Sequence, residues 1–225
     1  MRLHALIPAA GTGTRAALNC PKQYQPLAGR AVIDWVLATF VANARIDSVS
    51  VLVSPGDELF AASSRFAGDA RVRVLPCGGA TRRDTVLAGL EQVDADNDDW
   101  ILVHDAARPG LTPELLNRLI DACLIDEVGG LLAMPVADTI KSANGDRIER
   151  TVARDRLFGA QTPQMFRHHL LAQALERSAV VTDEASAVES LGLRPRLVRG
   201  AIRNFKLTWP EDFELMEAIL AKGQS

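Results

Sequence analysis

The chain alternates short apolar runs with segments of helical spacing, and this alternation constrains its fold more than any other feature. The runs predicted as strands are Leu3 to Pro8, Ser48 to Ser54, Val72 to Leu75, Trp100 to His104 and Gly130 to Pro135. The segments predicted as helices are Val32 to Asn43, Glu58 to Phe66, Thr81 to Gln92 and Pro113 to Leu124. Near-continuous apolar strands separated by helices are typical of a parallel sheet that is covered on both faces. We therefore predict an α/β fold with a mostly parallel, twisted and doubly wound sheet.

Length and composition favour a single globular domain over residues 1–225. No linker rich in Gly, Ser or Pro divides the chain, and no internal repeat is visible. A net charge of -3 and a pI near 5.8 give no overall basic surface for nucleic acid or an anionic membrane. No apolar run approaches the roughly 18 residues that span a bilayer, and no signal peptide is visible. We therefore expect a cytoplasmic protein that binds neither nucleic acid nor membrane.

A polar segment interrupts the alternation after the fifth predicted strand. Asn144-Gly145 lies between two runs that are able to pair, Thr139 to Lys141 and Arg147 to Thr151, which predicts a hairpin arm at about residues 137–160. Because an isolated two-stranded ribbon is marginal in water, we expect an oligomer contact there. Beyond the arm the sequence predicts helices near Arg167 to Arg177 and Asp183 to Leu191, strands around Arg196 to Val198 and at Asn204 to Thr208, and a last helix from Pro210.

The first predicted strand leads directly into a glycine-rich, cationic loop. Gly11-x-Gly13-x-Arg15 follows the strand, Lys22 comes shortly after, and no acidic residue precedes Asp34. A dinucleotide fingerprint would need a third glycine, and a Walker loop would need a Gly-Lys-Ser/Thr ending; the chain has neither. Glycines let backbone N–H groups approach a ligand closely, and two cations add charge. The loop therefore indicates a polyphosphate site.

Asp105 is a candidate magnesium ligand at the same edge of the predicted sheet. It directly follows the strand that ends at His104, and ligands of doubly wound sheets bind at the carboxyl ends of the strands. Magnesium is usually held by one or two carboxylates together with substrate phosphates. A helix cap or a surface pair with Arg108 is the alternative interpretation.

Lys206 is a further candidate phosphate ligand. It belongs to a stretch without acids, from Leu193 to Pro210, whose cations are Arg194, Arg196, Arg199, Arg203 and Lys206. A row of cations is usually a solvated face, and we interpret the first three in that way. Alternation in the predicted strand Asn204 to Thr208 sets Lys206 on the face opposite its apolar neighbours, where it would meet a phosphate from the side opposite Lys22.

Several motifs together resemble the 4-diphosphocytidyl-2-C-methyl-D-erythritol synthase family, the cytidylyltransferases of the methylerythritol phosphate route to isoprenoids. The resemblance runs from residue 3 to about residue 216. The motifs are Pro8-Ala9-Ala10-Gly11-x-Gly13-x-Arg15, Pro21-Lys22-Gln23-Tyr24, His104-Asp105-Ala106-Ala107-Arg108-Pro109, Ala160-x-Thr162-Pro163-Gln164, Thr182-Asp183-Glu184-Ala185-Ser186 and Asn204-x-Lys206-x-Thr208. The resemblance implies one Rossmann-like nucleotidyltransferase domain and a homodimer built on the arm.

The resemblance also implies roles for individual residues. Arg15, Lys22 and Lys206 would bind the triphosphate of CTP, and Asp105 would bind Mg²⁺. The nucleoside would be bound by Pro8, Ala9, Ala10, Gly11, Gly79, Thr85 and Ala106. Methylerythritol phosphate, a polyol phosphate, would be held by Arg108, Thr139, Thr162 and Lys206, with Arg154 and Thr182 supplied by the neighbouring subunit. Departures from the family pattern are Ala80, where an acid is frequent, and Thr85, which replaces a serine.

Direct transfer of the cytidylyl group is the reaction that these residues favour. We expect the acceptor phosphate to attack the α-phosphorus of CTP in line while pyrophosphate leaves, because positioning and charge stabilisation suffice for this chemistry. A cytidylyltransferase for another polyol phosphate, such as ribitol 5-phosphate, is one alternative. A CTP-binding protein without catalytic activity is another, since fold alone does not decide function.

Overall fold

A computed structural model describes residues 1–11, 20–178 and 180–222 of the chain. Its strands are β1 Leu3–Pro8, β2 Pro26–Leu27, β3 Arg30–Ala31, β4 Ser48–Leu52, β5 Val72–Leu75, β6 Trp100–Val103, β7 Gly129–Pro135, β8 Ile140–Asn144, β9 Arg147–Val152, β10 Phe158–Arg167 and β11 Arg196–Arg199. Its α-helices are α1 Val32–Val41, α2 Leu59–Ser63, α3 Arg82–Gln92, α4 Pro113–Leu124, α5 His168–Arg177, α6 Glu184–Glu189 and α7 Pro210–Lys222. Short 3₁₀ turns cover Lys22–Tyr24 and Ile202–Asn204.

A seven-stranded sheet forms the body of the described chain, with the strand order β11-β7-β10-β6-β1-β4-β5. Parallel pairs join β1 to β4 and β6, β4 to β5, and β7 to β11. β10 is antiparallel to both of its neighbours, β6 and β7. The prediction of a mostly parallel sheet is therefore confirmed.

Both faces of the sheet are buried, as the apolar runs predicted. Along β1, Ala5 and Ile7 pack into one cluster with residues of α1 and α4, whereas Leu6 packs into a second cluster with residues of α3 and α5. Because successive side chains of a strand point to opposite faces, helices must cover the sheet on both sides. Each fully buried Leu or Ile side chain contributes roughly 1.5–3 kcal/mol. The carboxyl ends of the strands remain available as the place for a ligand.

The predicted hairpin is present as β8 and β9, which pair with each other and form a separate two-stranded sheet. Gly145 at its turn has a φ of 60°, a conformation that favours glycine. Most residues of the hairpin are exposed in the single chain. Residues 158–160, the last of the predicted arm, belong to β10 and pair with β7.

The prediction of a strand at Asn204 to Thr208 is wrong. A 3₁₀ turn ends at Asn204, whose buried side chain donates a hydrogen bond to the Thr162 carbonyl oxygen at 2.8 Å. Beyond it, the Leu207 N–H donates to the carbonyl oxygen of Ala107, in the loop after β6. The segment therefore lies against the loop that follows β6, and it extends no sheet.

β10 is the longest of the strands that the sequence did not predict; β2 and β3, of two residues each, are the others. Thr162-Pro163 favours a turn, yet the chain passes through this position as a strand and continues to pair with β7. The register shifts between Ala160 and Gln164, and such an irregularity accommodates a proline, which has no N–H to donate.

Candidate active site

A cleft of about 520 Å³ lies at the carboxyl ends of β1 and β6, beside the start of α3. The loops that follow β1, β5 and β6 form the cleft. Lys206 and Thr208, which follow the second 3₁₀ turn, also line it. The predicted site residues that line it are Pro8, Ala9, Ala10, Gly11, Lys22, Gly79, Thr85, Asp105, Ala106 and Lys206. Arg15 lies outside the described residues. Residues distant in the sequence therefore share one cleft.

Asp105 is contacted by three cations. Its Oδ1 accepts from Arg82 Nε at 3.1 Å, and its Oδ2 lies 3.0 Å from Lys206 Nζ and 3.3 Å from Arg108 Nε. Burial alone raises the pKa of this carboxyl group. Arg82 and the other two cations together lower the pKa by more than burial raises it, so it lies well below its usual range. The carboxylate is therefore ionised at neutral pH. The pair with Arg108 that sequence reasoning left open is one of its contacts.

Lys22 and Lys206 approach the cleft from separate segments. Lys22 belongs to the first 3₁₀ turn, and its Nζ donates to the carbonyl oxygen of Leu207 at 3.0 Å. Lys206 is 36% exposed at its side chain and contacts Asp105. This lysine pair and Arg82, which also lines the cleft, outnumber the one carboxylate among the described lining residues. The cleft therefore favours a polyanion.

Thr162 is buried, and its hydroxyl holds the backbone of Asp105. His104 Nε2 lies 3.1 Å from the carbonyl oxygen of Arg108, which only accepts, so Nε2 carries the proton and Nδ1 accepts. The Thr162 hydroxyl, 3.0 Å from Nδ1, donates to it and accepts the Asp105 N–H at 3.0 Å. Burial lowers the pKa of His104 to about 4, so the ring is neutral at neutral pH. This hydroxyl therefore has two partners inside the protein.

Arg108, which the resemblance also assigns to the acceptor, is partly buried, with 12% of its side chain exposed. One terminal nitrogen donates to the Asn204 carbonyl oxygen at 2.9 Å, and Nε contacts Asp105. Burial lowers the pKa of Arg108 from its ordinary value, against the opposing effect of Asp105, yet the guanidinium remains charged. Its position is therefore fixed before any ligand arrives.

The glycines after β5 bring α3 close to the loop that follows β1. A Cβ atom on Gly78 would lie 2.5 Å from Ala10 Cβ, and one on Gly79 would lie 2.6 Å from Asp84 Cβ. The Thr85 hydroxyl accepts from the Gly79 N–H and donates to the Thr81 carbonyl oxygen, both at 3.0 Å. Thr85 thus fixes the glycine turn, a task that a serine hydroxyl also performs.

Of the residues that the resemblance assigns to the acceptor, Lys206 lines the cleft of the single chain, whereas Arg108 and Thr162 lie behind Asp105 and the other three lie farther along the chain. Thr139 and Arg154 flank the hairpin of β8 and β9, and Thr182 precedes α6. All three are exposed. The Thr182 N–H donates to the Ser186 hydroxyl at 3.1 Å, within the N-terminal cap of α6.

Sequence reasoning assigned no role to Arg82, which contacts Asp105, or to Glu184, which pairs with Arg82. Arg82 lines the cleft, and Glu184, which is 1% exposed, accepts from both of its terminal nitrogens at 2.5 and 3.1 Å. The available signal was a cation at a helix start, three residues after Gly79. Its acidic partner lies 102 positions away in the sequence, so no local pattern pairs them.

Comparison with known proteins gives a consistent result. The family described as IspD: 2-C-methyl-D-erythritol 4-phosphate cytidylyltransferase matches residues 3–222. The chain is 57% identical over 220 residues to a protein of that name from Bordetella petrii, and the alignment covers 96% of this chain and 97% of the relative. It is also similar to a crystal structure of a 4-diphosphocytidyl-2C-methyl-D-erythritol synthase, with 42% identity, a TM-score of 0.87 and coverage of 97% and 99%. The Francisella tularensis cytidylyltransferase structure shares 33% identity at a TM-score of 0.83, with coverage of 96% and 98%.

Proposed function

This chain belongs to the 2-C-methyl-D-erythritol 4-phosphate cytidylyltransferase family, and we propose that the cleft at the carboxyl ends of β1 and β6 is its active site. The enzyme transfers the cytidylyl group of CTP to 2-C-methyl-D-erythritol 4-phosphate in isoprenoid biosynthesis. The products are 4-diphosphocytidyl-2-C-methyl-D-erythritol and pyrophosphate.

The observation that carries this proposal is the meeting of Lys22, Asp105 and Lys206 in one cleft. These residues come from three separate segments, and the fold brings them together at the edge of the sheet where doubly wound folds bind ligands. Cations from two separate segments suit a triphosphate, because its negative charge spreads over several phosphate groups. A cleft of about 520 Å³ also lies within the range of pockets that hold small molecules.

The cations determine how the transfer proceeds. An oxygen of the acceptor phosphate forms a bond to the α-phosphorus of CTP, the bond from that phosphorus to the bridging oxygen breaks, and pyrophosphate leaves with the electron pair. Lys22 stabilises the departing pyrophosphate, and Lys206 stabilises the charge that builds up at the α-phosphate. Both act by position and charge, which supply most of the catalysis in phosphoryl-type transfer.

Asp105 fits a role as the protein ligand of Mg²⁺. It is ionised and is the one carboxylate among the described residues that line the cleft. No group of three or more His, Cys, Asp or Glu side chains in the described part of the chain is placed to hold a metal. One carboxylate completed by substrate phosphates is the usual arrangement for magnesium, so the nucleotide would supply the other oxygens. When bound, the ion neutralises part of the triphosphate charge.

The hairpin arm of residues 137–160 is proposed as the homodimer contact. Thr139 and Arg154 flank its strands and are exposed in the single chain, as is Thr182. A dimer built on the arm would bring Arg154 and Thr182 of one subunit to the cleft of the other, where they would bind the acceptor. Among the described helices, none is long and apolar enough to cross a bilayer. A cytoplasmic location is part of the same proposal.

A pyrophosphate-release assay tests the site. CTP, magnesium and 2-C-methyl-D-erythritol 4-phosphate should release pyrophosphate, whereas ATP, GTP and UTP should not. Ribitol 5-phosphate as acceptor tests the alternative polyol substrate, and pyrophosphate release with it at an equal rate would contradict the assigned acceptor. Lys22→Ala should reduce turnover at least tenfold, and full turnover by this variant would contradict the proposed cleft.

A further inference from the structure

Arg82 links two carboxylates at the start of α3. Its Nε donates to Asp105 Oδ1 at 3.1 Å, and its two terminal nitrogens donate to the two oxygens of Glu184 at 2.5 and 3.1 Å. A bidentate pair between a guanidinium and a carboxylate fixes the orientation of both groups. The direction of Arg82 is therefore set from the Glu184 side.

Rigid elements support both ends of this pair. Thr81 caps α3 and forms a capping box with Asp84, so the helix start that carries Arg82 is fixed. Glu184 is the first residue of α6, whose own capping box is formed by Asp183. Glu184 is buried and does not line the cleft.

Of the three cations around Asp105, Arg108 is held by the Asn204 carbonyl oxygen at 2.9 Å, and the other two differ in how firmly they are held. Lys206 is 36% exposed, and its ion pair with Asp105 is the one it forms within the described part of the chain, so a bound polyphosphate can draw it away. Arg82 cannot leave in this way, because its departure would strand the buried Glu184 carboxylate without its paired charge, which is strongly unfavourable. Arg82 therefore stays with Asp105 when the cleft fills.

We infer that Arg82 is a positioning residue, locked by Glu184, that fixes Oδ1 of Asp105 and so keeps Oδ2 on the side of Lys206. Asp105 then holds one oxygen in the same orientation at every turnover, toward the place where the proposed Mg²⁺ would be bound. This role depends on a residue that cannot touch the substrate, since Glu184 lies outside the cleft lining. The inference rests on the proposed function of the cleft.

Arg83 supplies a matched control on the same helix. It has the same side chain and neighbours Arg82, but its guanidinium contacts the carbonyl oxygens of Leu175 and Ser178 and the side chain of Asp84. It does not line the cleft. The variants to compare are Arg82→Lys, Glu184→Gln and Arg83→Lys, each checked for folding by circular dichroism and thermal unfolding.

Steady-state kinetics on these variants test the inference. Arg82→Lys and Glu184→Gln should each reduce kcat by roughly 10- to 100-fold, because a small misplacement of a reacting group costs this much, while the KM for CTP stays within about threefold. The double variant should be no slower than the slower single variant, because both changes break one unit. Arg83→Lys should retain kcat within about twofold.

CTP binding in the presence of EDTA gives a readout that does not depend on turnover. Calorimetry should show dissociation constants within about threefold of the wild type for Arg82→Lys and Glu184→Gln. Binding at least tenfold weaker in Arg82→Lys alone, with Glu184→Gln unchanged, would make Arg82 a direct phosphate ligand and overturn the inference.

Other outcomes also decide the question. Wild-type kcat in Glu184→Gln, or an equal loss in Arg83→Lys, would overturn the positioning role while leaving the cleft as the active site. If Glu184→Gln does not fold, Arg82→Lys decides alone: a raised KM for CTP with unchanged kcat contradicts the inference, and lowered kcat with unchanged KM supports it. Turnover that survives both Lys22→Ala and Asp105→Asn would instead remove the proposed function of the cleft.

Discussion

Replacing Lys206 by alanine should separate catalysis from stability. In the folded protein its Nζ lies 3.0 Å from Asp105 Oδ2, but the side chain is 36% exposed. Ion pairs with this degree of exposure contribute about 0–1 kcal/mol to stability. After the substitution Asp105 still has Arg82 and Arg108 as partners. We therefore expect the free energy of unfolding to fall by no more than about 1 kcal/mol.

The effect of the same substitution on the reaction should be much larger. Lys206 faces the cleft, and the proposed transition state concentrates negative charge at the α-phosphate. Loss of one such charge-stabilising donor costs about 2–4 kcal/mol of barrier, by analogy with oxyanion-hole donors. Since about 1.4 kcal/mol corresponds to a factor of ten, kcat should fall by roughly 30- to 1000-fold.

The assay is pyrophosphate release at saturating CTP and 2-C-methyl-D-erythritol 4-phosphate, run beside thermal unfolding. Arg199→Ala is the matched control, because Arg199 is exposed, lies in the same cationic stretch and does not line the cleft. It should leave kcat within about twofold of the wild type. Turnover of Lys206→Ala within threefold of the wild type would refute the reasoning, as would an equal loss in Arg199→Ala.

Three further predictions concern the supports of the site and the assembly. Thr162→Val should lower kcat, measured by pyrophosphate release, at least tenfold because it removes the hydroxyl that accepts the Asp105 N–H. Thr162→Ser, which keeps the hydroxyl, should retain most of the activity. A fully active valine variant would contradict this role. Asp99, at the opposite end of β6, is buried, and hydrogen bonds from Arg2 hold its pKa below the usual range although burial opposes this. Asp99→Asn should therefore lower the free energy of unfolding by about 1–3 kcal/mol at pH 7. This difference in unfolding free energy from the wild type should narrow as the pH falls below about 4. Denaturant titrations that give the same difference at every pH would contradict the prediction. A mixture of equal parts of Lys22→Ala and Arg154→Ala subunits tests whether Arg154 acts across the dimer. After subunit exchange, half of the dimers should be mixed, each with one intact site of two, so about a quarter of wild-type activity should return. If no activity returns, Arg154 acts in the site of its own subunit.

The sequence predicted those elements in which local pattern and burial agree. Leu3–Pro8, Val72–Leu75 and Pro113–Leu124 were each predicted with the bounds that the structure has. In the last case Thr112 caps the helix and Pro113 occupies its first position, so a local signal marks the start. Such signals act within a few residues, so they are readable from the sequence without knowledge of the tertiary contacts.

The local sequence pattern did not predict the structure of β10 or of the segment around Lys206. β10 contains Gly159 and Pro163 and is held in place by β6 and β7, so its existence depends on long-range pairing. Alternation around Lys206 predicts a strand, but contacts with distant residues set the course of that segment: the Leu207 N–H donates to Ala107 in the loop after β6, and the Leu207 carbonyl oxygen accepts from Lys22. Lys206 reaches the cleft even so, because the loops after the strands meet there.

The candidate site was predictable in its charges but not in its supports. Lys22 and Asp105 follow strands and belong to loops whose composition already indicates an anion site. Arg82, Glu184 and the hydrogen bonds of Thr162 act through neighbours that only the folded chain supplies. Positioning residues therefore leave little trace in a single sequence.

A crystal structure of the protein with CTP and magnesium tests the central claim most directly. The triphosphate should lie between Lys22 and Lys206, with magnesium bound to Asp105 and the base against the loop of residues 8–11 and the start of α3. Density for the nucleotide in any other place on the protein, with these three side chains left in their present contacts, would contradict the account.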